Sequence, residues 1–165
     1  MEKSVPGWPG WHARSDGSLR TPLNDIIWGQ PSKNGHKFFF ALKSGKTYPM
    51  RKWVHRFVAH AFVNNPRPDI FKEVDHIDRD PTNNRPTNLR WLNRSLNLLN
   101  NGASNAYYNK SFGKWRASVC VGGKTRNMGY YKTMAEASKV AHAFKHSEFN
   151  RIYEELVNET VTEIV

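Results

Sequence analysis

The stretch from Val74 to Asn100 constrains this chain more than any other. It sets a carboxylate beside an imidazole, Asp75 then His76, and follows them with a polar loop rich in Asp, Asn and Pro. A short, mostly apolar run from Leu89 to Leu92 comes next, then an Asn-rich segment that reads as a helix starting near Asn93. A packed core needs none of this polar chemistry. A small site that holds one divalent cation and activates a water needs much of it. Asp78, Asp80, Asn83 and Asn84 are read mainly as turn formers. A calcium loop of the EF-hand kind is excluded, because the twelfth position from Asp78 is Leu89 rather than Glu.

Charge points to the partner. Lys and Arg total 25 against 14 Asp and Glu, a formal +11. Residues 1–73 carry +7, residues 74–100 only +1, residues 101–150 +6 and residues 151–165 −3. Two basic flanks thus surround a nearly neutral centre, which suits double-stranded DNA held on either side of a metal-binding middle. The one cysteine, Cys120, excludes a disulfide framework and a Cys-rich zinc site, so no structural zinc is expected. No segment reads as a signal peptide or a membrane span, and an intracellular protein is expected.

Along the chain, residues 1–52 read as a small β-rich module with a basic, DNA-contacting surface. Ser15-Asp16-Gly17-Ser18 is a hairpin turn, residues 36–42 a strand, Ser44-Gly45-Lys46 a turn, and Thr47 to Met50 a second strand. Over residues 53–63, Val54, Phe57, Val58, Ala61 and Phe62 recur at helical spacing. His55 and His60 lie off that stripe. Five residues apart, they miss the i, i+4 pairing of a helical zinc site and read as solvated or packed histidines. Residues 101–106 are small and polar, a linker. Lys114–Val121 alternates as a strand, Gly122-Gly123 turns it back, and a second strand covers roughly Thr125 to Tyr131. Thr133 and Glu136 make a capping box for a helix whose Ala137, Val140, Ala141 and Phe144 share one face. A final helix, or a continuation, carries Phe149, Ile152, Tyr153, Leu156 and Val157.

Phosphodiester hydrolysis needs a deprotonated water, a stabilised anionic transition state and a neutralised leaving oxygen. Asp75 offers a carboxylate, Asn97 an amide oxygen, and His76 a group that titrates near neutrality. In an extended strand Asp75 and His76 face opposite sides, so a bend at the strand end is expected to bring both into one site. These residues with Asn88, at their spacing, resemble the HNH nuclease motif, the ββα-metal fold. The wider string His55-Arg56-Phe57-Val58-Ala59, Asp75-His76-Ile77-Asp78, Thr82-Asn83-Asn84 and Thr87-Asn88-Leu89-Arg90-Trp91 is similar to phage HNH homing endonucleases, over roughly residues 53–100. The resemblance implies His76 as general base and Asp75 with Asn97 as ligands of one divalent cation, Mg²⁺ or alternatively Mn²⁺. It implies that Asn88 fixes the loop and orients His76. Where many relatives carry a third histidine this chain has Asn97, and where many have Gly it has Arg79.

Residues 107–150 resemble the Apetala-type (ethylene-response-factor type) DNA-binding domain through Gly113-Lys114-Trp115-Arg116-Ala117, Gly129 to Thr133 and Ala135-Glu136-Ala137. That implies a sheet laid in the major groove. Arg116, Ser118, Thr125 and Asn127 form the face expected to be free for DNA, with Lys110, Lys114 and Lys124 on phosphates. The fold class expected is therefore α+β: the β-rich module, a ββα-metal core over 53–100, the linker, a three-stranded antiparallel sheet packed on one helix, and a C-terminal helix or tail over 151–165. The function expected is a metal-dependent, homing-type DNA endonuclease, a monomer or weak dimer, that nicks when it acts as a monomer; double-strand cutting needs a dimer or a second event. The alternative is a sequence-specific DNA-binding regulator with an inactive nuclease core.

Overall fold

The computed structural model describes residues 1–43 and 45–162. Ser44 of the predicted turn, and residues 163–165 of the expected C-terminal segment, lie outside the described residues. The architecture is mixed α+β, built from small antiparallel sheets and three α-helices among the described residues. It divides into two compact units, Met1–Leu92 and Asn93–Val165.

In the first unit, β1 (Glu2–Ser4), β2 (His12–Arg14), β3 (Leu19–Arg20) and β4 (Ile26–Ile27) form one meander. The β2–β3 turn falls on Asp16-Gly17, as the sequence predicts: Gly17 takes a φ of +91° and donates its N–H to Arg14 O. A second sheet joins β5 (Gln30–Pro31), β6 (Lys37–Ala41) and β7 (Met50–Trp53). The predicted second strand, Thr47 to Met50, is displaced toward the C-terminus. Pairing of Ala41 with Met50 and of Phe38 with Trp53 fixes the observed register. Pro49, which has no N–H to give a ladder, falls in the preceding turn.

Helix α1 (Val54–Phe62) follows β7 without a break. Its apolar stripe buries Val54, Phe57 and Val58 against both sheets. The Phe57 ring meets Trp8 at 4.9 Å, Phe39 at 4.9 Å and Trp11 at 5.8 Å, and this aromatic cluster is the centre of the unit. Burying each such ring is worth about 1.5–3 kcal/mol. The chain then forms a two-stranded antiparallel sheet, β8 (Glu73–His76) with β9 (Leu89–Leu92), against α1. The Trp91 indole N–H donates to Val63 O at 3.1 Å and ties β9 to the end of the helix.

In the second unit, α2 (Arg94–Leu99) is capped by the Asn93 side chain, which accepts from Leu96 N. The strands β10 (Ala106–Asn109), β11 (Lys114–Val121) and β12 (Lys124–Tyr131) form a sheet covered by α3 (Met134–Thr162). The Gly122-Gly123 turn has φ values of +56° and +77°, both left-handed, as a two-residue hairpin of this kind requires. The capping box is present: Thr133 N donates to Glu136 Oε2, and Glu136 N to Thr133 Oγ1. Ala137 and Ala141 are fully buried, so small side chains let α3 lie close on β11. The expected final helix is a continuation of α3. Segment 101–106, read as a linker, is fastened to that helix. Lys145 Nζ donates to Asn101 O at 2.9 Å and Oδ1 at 2.7 Å, and the His142 ring meets Ala103 O. Among the described residues no helix is long and apolar enough to cross a membrane.

Candidate active site

Strand β8 brings Asp75 and His76 to its C-terminal end and buries both, at 7% and 5% exposure. β8 stays extended through His76, and the chain turns at Ile77-Asp78 immediately after the pair. Across the sheet Asp75 pairs with Arg90 and His76 with Leu89. Arg90 donates from both Nε and Nη2 to Asp75 Oδ2, each at 2.8 Å. This contact neutralises and orients a carboxylate that burial would otherwise penalise.

The His76 imidazole meets Asn84: Nε2 lies 3.0 Å from Asn84 Oδ1, and both residues are buried. Sequence reasoning gave this orienting role to Asn88 and took Asn84 as a turn former. The Asn88 amide does fix the loop, the other role expected of it. Its Oδ1 accepts from Asp78 N, and its Nδ2 donates to Asp78 Oδ1 at 2.8 Å and to Asn83 O at 2.9 Å. Asp78 also accepts from Asp80 N and Asn83 Nδ2. These bonds, led by that from Asp80 N, hold its carboxyl below the ordinary value. Thr82 closes the next turn on Asp80 Oδ1. Asp78, Asp80 and Asn83 are therefore the loop formers expected of them. Arg79 occupies its turn at a φ of +66°, the left-handed conformation glycine takes most readily.

Two further histidines reach His76. The His55 ring centroid lies 5.2 Å from that of His76, and His36 lies 5.3 Å from His76 and 5.1 Å from His55. One ligand nitrogen from each of the three falls within 4.8 Å of the others, the arrangement of a candidate metal centre. His55 is 8% exposed, so it is packed rather than solvated. Burial, then the charges of His76, His36 and Arg56, push its imidazole down to about 3. Burial and His76 also lower His36. Nδ1 of His36 and Nδ1 of His55 are buried without a hydrogen-bond partner. A buried polar atom left unmatched costs about 1–3 kcal/mol. No local spacing reveals this cluster, because its members come from β8, from α1 and from the turn before β6. His60, by contrast, is an exposed residue against the Trp91 ring at 4.8 Å.

Asn97 stands half-buried on α2, in the second unit. The Asp75 carboxylate is a hard oxygen donor, which fits the preference of Mg²⁺. On the C-terminal sheet, Lys110, Lys114, Lys124, Thr125 and Asn127 are exposed and Arg116 is half-buried. Ser118 is 5% exposed, so it does not belong to an open face. Its N–H donates to Asn105 O, and the β11–β12 register shifts beside it, with Met128 the extra residue on β12.

The site is thus a buried histidine, held by Asn84 at the end of a two-stranded antiparallel sheet, with a buried aspartate beside it in sequence. Residues 52–99 match the family model described as HNH endonuclease, and this segment is an HNH endonuclease domain. Among curated proteins, the chain is 32% identical over 97 residues to "Uncharacterized HNH endonuclease L247" of Acanthamoeba polyphaga mimivirus. The match covers 59% of this chain but only 24% of that protein. Among solved structures it is similar to the one described as "DNA binding and cleavage by the HNH homing endonuclease I-HmuI". There the identity is 27% and the TM-score 0.52, over 61% of this chain and 56% of the other. The chain thus spans well under two thirds of either relative.

Proposed function

We propose that the protein is a metal-dependent DNA endonuclease of homing type that nicks one strand per binding event. The observation that carries this reading is the His76–Asn84 hydrogen bond inside the HNH segment. Asn84 Oδ1 accepts from the ring at Nε2, and this reading gives the base role to Nδ1. Nδ1 then takes a proton from water as the water oxygen attacks phosphorus and the bond to the leaving sugar oxygen breaks. Asp75 and Asn97 would hold one Mg²⁺ or Mn²⁺. When bound, that ion supplies charge stabilisation to the transition state and to the leaving oxygen. Asn88 acts through the loop, as a positioning residue.

The nuclease core is taken as residues 53–100, flanked by the β-rich module and by the C-terminal sheet. The latter is the proposed Apetala-type reader, with Arg116, Thr125 and Asn127 toward bases and Lys110, Lys114 and Lys124 toward phosphates. The test is supercoiled DNA incubated with purified protein, with and without Mg²⁺, beside His76→Ala. Removal of a general base is expected to slow nicking by about 10²–10⁴-fold. Equal nicking by the variant, or none by wild type with any divalent metal, would sink the reading.

A further inference from the structure

We infer that His36, His55 and His76 form a second, nitrogen-lined metal site for a transition ion such as Zn²⁺, and that its occupation switches the nuclease off by capturing His76. The inhibitory part rests on the proposed role of His76 as general base; the site itself does not.

Three imidazoles with ligand nitrogens within 4.8 Å of one another need only a small closure to bind. Nitrogens around a tetrahedral Zn²⁺ at about 2.0–2.1 Å lie roughly 3.3 Å apart. His36 can supply that movement. It is half-buried and follows a four-residue turn in which Gly35 N donates to Ser32 O and Ser32 N to His36 O. His55 is held by α1, and its Nδ1 is buried with no protein partner, as is Nδ1 of His36. Two orphaned ring nitrogens in one cluster are what a nitrogen-coordinated cation would satisfy. His76 supplies the third nitrogen of the cluster, and its ring is oriented by the Asn84 contact at Nε2. A carbonyl on the other ring nitrogen is the usual support of a metal-binding imidazole. Ligand type separates this site from the catalytic one. Imidazole suits Zn²⁺, Co²⁺, Ni²⁺ and Cu²⁺, whereas Mg²⁺ favours the oxygens of Asp75 and Asn97. The lone pair that binds zinc at His76 is the one that would deprotonate water, so a zinc-loaded molecule has no base.

The experiment titrates the full chain with Co²⁺ alone and follows the visible absorption of a tetrahedral nitrogen site, with Zn²⁺ added to displace it. Wild type should bind one Co²⁺. His36→Gln and His55→Gln should weaken binding at least tenfold, and Asp75→Asn should not. His36 sits in a half-buried turn, so His36→Gln carries the result if His55→Gln fails to fold. In parallel, nicking in Mg²⁺ is measured with and without micromolar Zn²⁺ and after a zinc-selective chelator. Zinc should block wild type reversibly and block His36→Gln at least tenfold less sensitively. No Co²⁺ binding by wild type, or binding unchanged in folded His36→Gln, would overturn the site. Zinc bound without loss of nicking would overturn the switch. Co²⁺ binding by a protein that never nicks would leave the site standing and remove the nuclease reading instead.

Discussion

At the scale of single residues, Asn84 holds the imidazole proposed as the base. Its amide oxygen is the acceptor seen at His76 Nε2, and both groups are buried. Removing it frees the ring to rotate and to exchange tautomers. Asn84→Ala is expected to lower kcat about 10–100-fold, the range for losing such a support. DNA affinity, read by gel shift in Ca²⁺, should be unchanged, and Asn84→Asp should recover part of the rate; loss of affinity along with rate would point to a collapsed loop. Arg79 poses a different problem. A φ of +66° places its Cβ against its own carbonyl, and such a residue pays about 1–2 kcal/mol. Arg79→Gly is expected to raise stability by about 0.5–1 kcal/mol in urea unfolding, part of the relief being lost to the greater freedom of unfolded Gly. A lower midpoint would mean that the Arg79 side chain itself supports the loop.

At the scale of elements, the β2–β3 turn and the loop that presents Asn84 are packed together. A Cβ on Gly17 would come within 2.8 Å of the Asn84 backbone, at a left-handed φ that already disfavours side chains. Asp16 builds this turn. Burial raises its carboxyl pKa, but hydrogen bonds from the Ser18 side chain and backbone, with the charge of Arg14, outweigh burial and hold it below 3.8. The sign follows directly. The folded state binds this proton less readily than the unfolded chain, so the contribution is complete above pH 3.8 and is lost as pH falls through the lower folded value. Thermal melts of wild type against Asp16→Asn should therefore differ at pH 6 and converge toward pH 3. A constant difference would show that the carboxylate charge is irrelevant to the turn. Most elements were legible from pattern alone. The stripe Val54, Phe57, Val58 predicts α1, Gly122-Gly123 predicts the hairpin, and Thr133 with Glu136 predicts the start of α3. These signals are local, a few residues long, and tertiary contacts do not compete with them. The second N-terminal strand was misplaced because its register is set by pairing with β6, and pairing is not local.

For the whole molecule, charge is the governing quantity. The +11 is carried by the two flanks, and for the DNA partner proposed above this would set long-range attraction independently of any base contact. Affinity should fall linearly on a log–log plot of salt, with a slope of about −0.9 per phosphate contacted. Lys114→Ala combined with Lys124→Ala, both exposed on the C-terminal sheet, should flatten that slope by about 1.8 units. An unchanged slope would take these lysines off the DNA. The amino-acid sequence by itself determined the α+β class, the basic flanks, the Asp75-His76 pair and the turn-forming role of Asp78, Asp80 and Asn83. Each of these follows from composition, periodicity or chemistry within a short window. Only the tertiary structure decided that Asn84 rather than Asn88 meets His76, that Arg90 holds Asp75, that Ser118 is buried, and that His36 and His55 converge on the same imidazole. Those facts depend on which residues a strand register, a bulge and a helix packed on two sheets bring together. Side chains separated by tens of residues meet only when the chain between them has folded.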